Sequence, residues 1–148
     1  MKKSKTDLVV TGYVFSDDGK MLLIHHGKLN LWLPVGGHIE KDETPDEALI
    51  REVKEETNLD IEILNTPEIF YEGNVKENLA CPIHVNVHSV GDHDHCSLFY
   101  VCKTSNPEKL IINKELKDFK WISESEIDSE NLAIGTKNFI RHAFEFME

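Results

Sequence analysis

Glu52, Glu55 and Glu56 fall within one turn of a predicted helix, with Arg51 beside them. Like charges one turn apart destabilise a helix by roughly 0.2–0.5 kcal/mol per pair, so such a cluster weakens its own helix unless cations neutralise it. The crowding therefore points to a divalent-metal site. Oxygen donors suit hard cations, and Mg²⁺ is the expected ion, with Mn²⁺ as its substitute. Upstream, Gly37 is followed after five residues by Glu43, and seven residues later comes Arg51-Glu52-Val53-Lys54-Glu55-Glu56-Thr57-Asn58-Leu59.

These residues need a helix and a tight approach to it. Thr44 and Pro45 supply an N-cap hydroxyl and a proline at the first helical position, and the helix is expected to run to about Thr57. At about 100° per residue, Glu52, Glu55 and Glu56 share one arc, while Leu49, Ile50 and Val53 occupy the next. One face packs and its neighbour binds. Arg51, on the far side of Glu55, can orient a carboxylate through a charge-assisted hydrogen bond. Just before, Trp32-Leu-Pro-Val-Gly-Gly37 reads as a short extended piece.

The remaining elements follow from periodicity. Leu8–Phe15 and Lys20–His25 are β-rich and separated by Ser16-Asp-Asp-Gly19, a hairpin signal. Further β-like runs lie at Ile61–Leu64, Ile69–Tyr71, Ile83–Val90, Leu98–Lys103 and Phe119–Ile122. Residues 123–127 suggest a short helix, and Ile134, Phe139, Ile140, Phe144 and Met147 suggest a terminal helix within 131–147. No repeat or linker divides the chain, so residues 1–148 are expected to form one α+β domain, a mixed sheet flanked by helices.

Histidines form the second chemical feature. In a strand, His84, Asn86 and His88 point one way and Val85 and Val87 the other, with His93 and His95 following on a turn. For His84 and His88 a solvated strand face is the preferred reading. His93 and His95 divide between lining a substrate cleft and belonging to a polar loop; imidazole also suits Zn²⁺ and Ni²⁺, which makes a separate transition-metal site an alternative. Trp32 can stack on a base or, as tryptophans more often do, pack under its loop. His25, His26 and His38 flank the same region, and His38 is close enough to the glutamate motif to touch a ligand.

Composition limits the partners. A formal charge of −11 disfavours a nucleic-acid polymer or an anionic membrane, because only the Lys2/Lys3/Lys5 cluster offsets it. No apolar run approaches the roughly 18 residues of a membrane helix, and a cytoplasmic location is expected. Cys81, Cys96 and Cys102 are odd in number and lack a CxxC spacing, so no disulfide framework is expected and the thiols are expected to be reduced and mostly buried. Oligomeric state is not readable, a homodimer being the commonest closed assembly.

The Gly37–Leu59 pattern resembles the Nudix box, matching eight of nine fixed positions and departing at Asn58, where the family has glycine. Asn tolerates the left-handed conformation a helix end requires, so the departure implies a modest stability cost. Glu115, Trp121 and Ser125-Glu126-Ile127 resemble a later family region. The resemblance implies the Nudix αβα sandwich and a Mg²⁺-dependent hydrolase of a nucleoside diphosphate linked to another moiety. It implies Glu52, Glu55 and Glu56 as metal ligands with the Gly36 carbonyl, and Glu43 and Arg51 as orienting residues. Glu52 is the first choice of general base, with Glu72, Glu77 and Glu115 as alternatives. Gly37, His38, Trp32, His93 and His95 are the candidate substrate-binding residues. A solvated acidic face explains the helix less well, since Gly37, Glu43 and Arg51 all sit at the required offsets. The wider superfamily leaves two other readings, a ligand sensor without turnover and an isoprenoid diphosphate isomerase. The intact carboxylate set weighs against the first; the chain's short length and the lack of a cysteine near the box weigh against the second.

Overall fold

The structure is a computed structural model that describes residues 4–148, so Lys2 and Lys3 lie outside the described residues. Its centre is β1 (Thr6–Phe15), whose mostly apolar residues from Leu8 onward suit a strand covered on both faces. The strand pairs in parallel with β7 (Asp94–Lys103), from Thr6 opposite Asp94 to Phe15 opposite Lys103. On its other side lies antiparallel β4 (Val35–His38). The Ser16–Gly19 turn, with Gly19 at φ +80°, leads into β2 (Met21–His26), which meets β1 at Phe15 and Met21 and then pairs with β3 (Leu31–Leu33) and β8 (Leu116–Ile122). Two further strands, β5 (Glu62–Ile63) and β6 (His84–Ser89), lie antiparallel to β7.

Alternation along β1 separates two cores. Val10 and Val14 pack with Ala48, Leu49 and Val53 of α1 (Pro45–Thr57). Tyr13 and Phe15 face the opposite way, onto Ile140, Ala143 and Phe144 of α2 (Thr136–Met147). The result is the expected αβα sandwich, a mixed sheet between helices. No helix among the described residues is long and apolar enough to cross a membrane.

Several local expectations change. Ile69–Tyr71 forms no strand; its β-propensity finds no ladder partner, Phe70 is 84% exposed, and the Asn78 side chain donates to the Ile69 carbonyl at 2.7 Å. Ile50, assigned to the packing arc of α1, is exposed. The terminal helix starts at Thr136, after Gly135 at φ +90°, which leaves Ile134 in solvent. The short helix is 3₁₀ over Glu124–Ser129, fixed by reciprocal bonds between Ser123 and Glu126. Of the three free cysteines only Cys102 is buried.

Candidate active site

The loop between β4 and α1 brings the carboxylates to the sheet. Thr44 caps α1 as expected, and Glu47 returns a bond to the Thr44 N–H, closing a capping box that fixes where the helix begins. Gly37 stands opposite Val10, on the sheet face that meets α1. A Cβ there would lie 2.2 Å from the Glu52 carboxyl carbon, so the absence of a side chain lets Glu52 sit against the strand. Gly36 is equally constrained: a Cβ would come 2.3 Å from the Val10 carbonyl oxygen.

Arg51 ties the loop to the helix. Its Nε and a terminal nitrogen donate to the two oxygens of Glu43 at 2.7 and 2.9 Å, a bidentate pair. The guanidinium also donates to the His38 carbonyl at 3.0 Å, to Glu52 at 3.0 Å and to Glu55 at 3.4 Å. Glu43 accepts in addition from the Glu40 N–H. These donors, Arg51 foremost, hold the Glu43 carboxyl at a pKa of about 2, and Glu43 in turn raises that of Arg51.

Glu56 experiences the opposite field. Burial, followed by the neighbouring carboxylates of Glu52, Glu115 and Glu55, pushes its pKa up to about 8. Glu115 reaches this cluster because the segment before β8 docks on the end of α1: Ile111 N–H bonds the Thr57 carbonyl and Asn113 N–H bonds that of Glu56, both at 3.0 Å. Of the later-loop alternatives, Glu115 is thus beside the box, while Glu72 and Glu77 lie exposed on the loop before β6. Several carboxylates around one half-buried position form a hard, all-oxygen donor set, and that chemistry fits Mg²⁺ or Mn²⁺.

The candidate substrate-binding residues separate. Trp32 packs edge-on against His25, with ring centroids 5.0 Å apart, and the Lys120 ammonium lies 3.9 Å above its ring, so packing describes its role here. His38 pairs with Val9, one residue on from Gly37, and therefore lies on the sheet face opposite the glutamates. There it meets His95, which belongs to β7 and not to a turn, with ring centroids 5.1 Å apart. His93 sits in the hairpin just before, 3.3 Å from His95 between their Nε2 atoms. Asp7, which the sequence reading did not single out, completes this group. The ligating atoms of Asp7, His38 and His95 all lie within 4.8 Å of one another, making a candidate metal-binding triad. No local pattern marks Asp7; parallel pairing places it opposite His95.

His84 contradicts the solvated-face reading. Its ring stacks on Phe99 at 4.0 Å and on Phe139 at 4.5 Å, and its Nε2 lies 3.1 Å from the Tyr13 hydroxyl. Burial lowers its pKa to about 4. The same alternation turns Val85 and Val87 outward, at 53% and 61% exposure. His88 remains exposed, as expected.

Known proteins share this fold. The family model for the NUDIX domain matches residues 5–143. A hydrolase of the NUDIX family from Clostridium perfringens superposes with a TM-score of 0.82 at 31% identity, covering 96% of this chain and 98% of that one. Dihydroneopterin triphosphate diphosphatase from Haemophilus influenzae is 26% identical over 93% of this chain and 89% of its own length. A MutT-like protein from Streptomyces ambofaciens is 41% identical over 54 residues, and the chain spans only 35% of its length.

Proposed function

The chain belongs to the Nudix (MutT-like) hydrolase family, and from that membership we propose that it is a single-domain, Mg²⁺-dependent hydrolase of a phosphoanhydride in a small nucleotide, either a nucleoside triphosphate or a nucleotide sugar. The observation that carries this reading is the gathering of Glu52, Glu55 and Glu115 around half-buried Glu56, whose pKa is raised to about 8 by burial first and then by these carboxylates. Glu52, Glu55 and Glu56, with the Gly36 carbonyl, are the proposed ligands. Bound there, the metal supplies charge neutralisation at the phosphoryl oxygens and acidifies water.

The chain's own residues do the rest. Arg51 holds Glu52 and Glu55 in place while its bidentate bond to Glu43 locks the loop that carries Gly37 and His38. Glu52, held by one such bond, accepts the proton of the attacking water as general base. Glu115, whose charge acts on Glu56, is a further acceptor. Attack at phosphorus yields a nucleoside monophosphate and pyrophosphate, or a second phosphorylated product from a nucleotide sugar.

A negative charge of −11 and the absence of a membrane-spanning helix among the described residues support small-molecule chemistry in the cytoplasm over action on a polymer or a bilayer. The test is phosphate release, with and without added phosphatase, from nucleoside triphosphates, dinucleoside polyphosphates, nucleotide sugars and a pterin triphosphate, in Mg²⁺, Mn²⁺ or EDTA. Metal-dependent turnover of one class is expected. Tight binding without turnover across the panel would replace the hydrolase with a ligand sensor.

A further inference from the structure

We propose that Asp7, His38, His93 and His95 form a second metal site, on the face of the sheet opposite the box glutamates, that takes a transition-metal ion of the Zn²⁺ class. The two faces follow from pairing. Gly37 and His38 are consecutive in β4, so one meets Glu52 while the other points to the far side, where Asp7 of β1 and His95 of β7 stand opposite each other.

Donor spacing supports an ion there. His38 Nε2 lies 3.2 Å from Asp7 Oδ2, His93 Nε2 lies 3.4 Å from the same oxygen, and His93 Nε2 lies 3.3 Å from His95 Nε2. A tetrahedral zinc with bonds of about 2.0–2.1 Å has ligand-to-ligand edges of about 3.3–3.4 Å. The three shortest pairs lie within about 0.1–0.2 Å of that value, and the ligating atoms of Asp7, His38 and His95 all lie within 4.8 Å of one another. An ordinary ion pair with Asp7 needs one imidazole, whereas two converge on a single carboxylate oxygen and a third faces one of them nitrogen to nitrogen.

Tautomers favour coordination as well. Asp92 Oδ1 lies 2.7 Å from His93 Nδ1 and accepts a hydrogen bond from it, so Nε2 is the ring nitrogen that faces Asp7 and His95. A carboxylate behind a ligating histidine is the usual support of such sites. Lys5 Nζ, 3.4 Å from Asp7 Oδ1, binds the other carboxylate oxygen and leaves Oδ2 to the histidines. Imidazole donors suit Zn²⁺, Ni²⁺ or Cu²⁺, while the all-carboxylate cluster across the sheet suits Mg²⁺ or Mn²⁺, so the two faces offer different donor chemistry. An ion held here would clip β1, β4 and the β6–β7 hairpin together, and this reading does not depend on the catalytic one.

The experiment is a Zn²⁺ titration of tag-free, EDTA-treated and dialysed protein in excess Mg²⁺, read by competition with a chromophoric chelator and repeated with Co²⁺ for visible d–d absorption. One ion per chain with an intense, tetrahedral-type Co²⁺ spectrum is expected. Asp7→Asn and His95→Ala should each weaken Zn²⁺ binding at least about a hundredfold, and Glu56→Gln should leave it unchanged. His93→Gln changes a loop residue just outside β7, its fold checked by the far-UV spectrum, and should weaken binding at least about tenfold. Absence of Zn²⁺ binding in the wild-type protein, wild-type affinity in all three site variants, or loss of the bound ion in Glu56→Gln would overturn the proposal.

Discussion

Two glutamates on neighbouring elements are driven in opposite directions by what surrounds them. Glu43 meets the Arg51 fork and stays ionised down to a pKa of about 2, whereas Glu56, half-buried and then crowded by other carboxylates, holds its proton to about 8. For Glu56 the consequence is thermodynamic. In the metal-free protein the folded chain retains a proton that the unfolded chain releases near 4.5, so stability falls as pH rises from about 4.5 towards about 8. Thermal melts in EDTA should therefore show a declining midpoint across that window. Glu56→Gln should flatten the decline, and Mg²⁺ should raise the wild-type midpoint more at pH 8 than at pH 5. A flat wild-type profile would mean that the carboxylates do not crowd one another. Kinetically, Glu56→Gln should cut metal-dependent turnover at least about a hundredfold with the far-UV spectrum intact; a wild-type rate would remove the box helix from the reaction.

At the scale of the element, α1 shows how a departure from the family pattern is accommodated. Asn58 sits at φ 63° and ψ 10°, donates its N–H to the Lys54 carbonyl, and adds a side-chain bond to the Lys109 carbonyl at 3.2 Å that glycine could not make. The left-handed penalty and the extra bond offset each other, so Asn58→Gly should shift stability by no more than about 1 kcal/mol. Asn58→Val keeps neither the tolerance nor the bond and should cost about 2 kcal/mol or more in a urea melt. Equal stability of the two variants would show that the helix end does not depend on this conformation. The extent of α1 was legible because its start and stop are written in local chemistry, Thr44-Pro45 at one end and Asn58 at the other. The face that β6 presents was not: alternation separates His84 from Val85, but only Phe99 and Phe139 decide that the histidine side is covered.

For the whole molecule, one sheet carries two chemistries because each helix covers only part of its face. The α2 side is closed near the end of β1 by Phe15 and Phe144, whose rings meet edge to face at 5.0 Å, and is left open near Asp7. Phe144→Ala should remove about 3 kcal/mol by opening a cavity under α2, measurable by urea denaturation. Turnover per folded molecule should be retained, since α1 and its carboxylates pack on the other face. A loss below about 1 kcal/mol would mean that the terminal helix contributes little to the core.

The box can be read along the chain, because Gly37, Glu43, Arg51 and the three helix glutamates interact through offsets short enough for one loop and one helix to span. Most strands can be read the same way, since apolar alternation is local. What enters from afar is set by packing. Parallel pairing of β1 with β7 sets Asp7 against His95, and docking of the segment before β8 onto α1 makes Glu115, among three alternatives, the one beside the box. Such juxtapositions depend on strand order and register, which arise from burying both faces of the sheet at once, and no spacing within the chain encodes them.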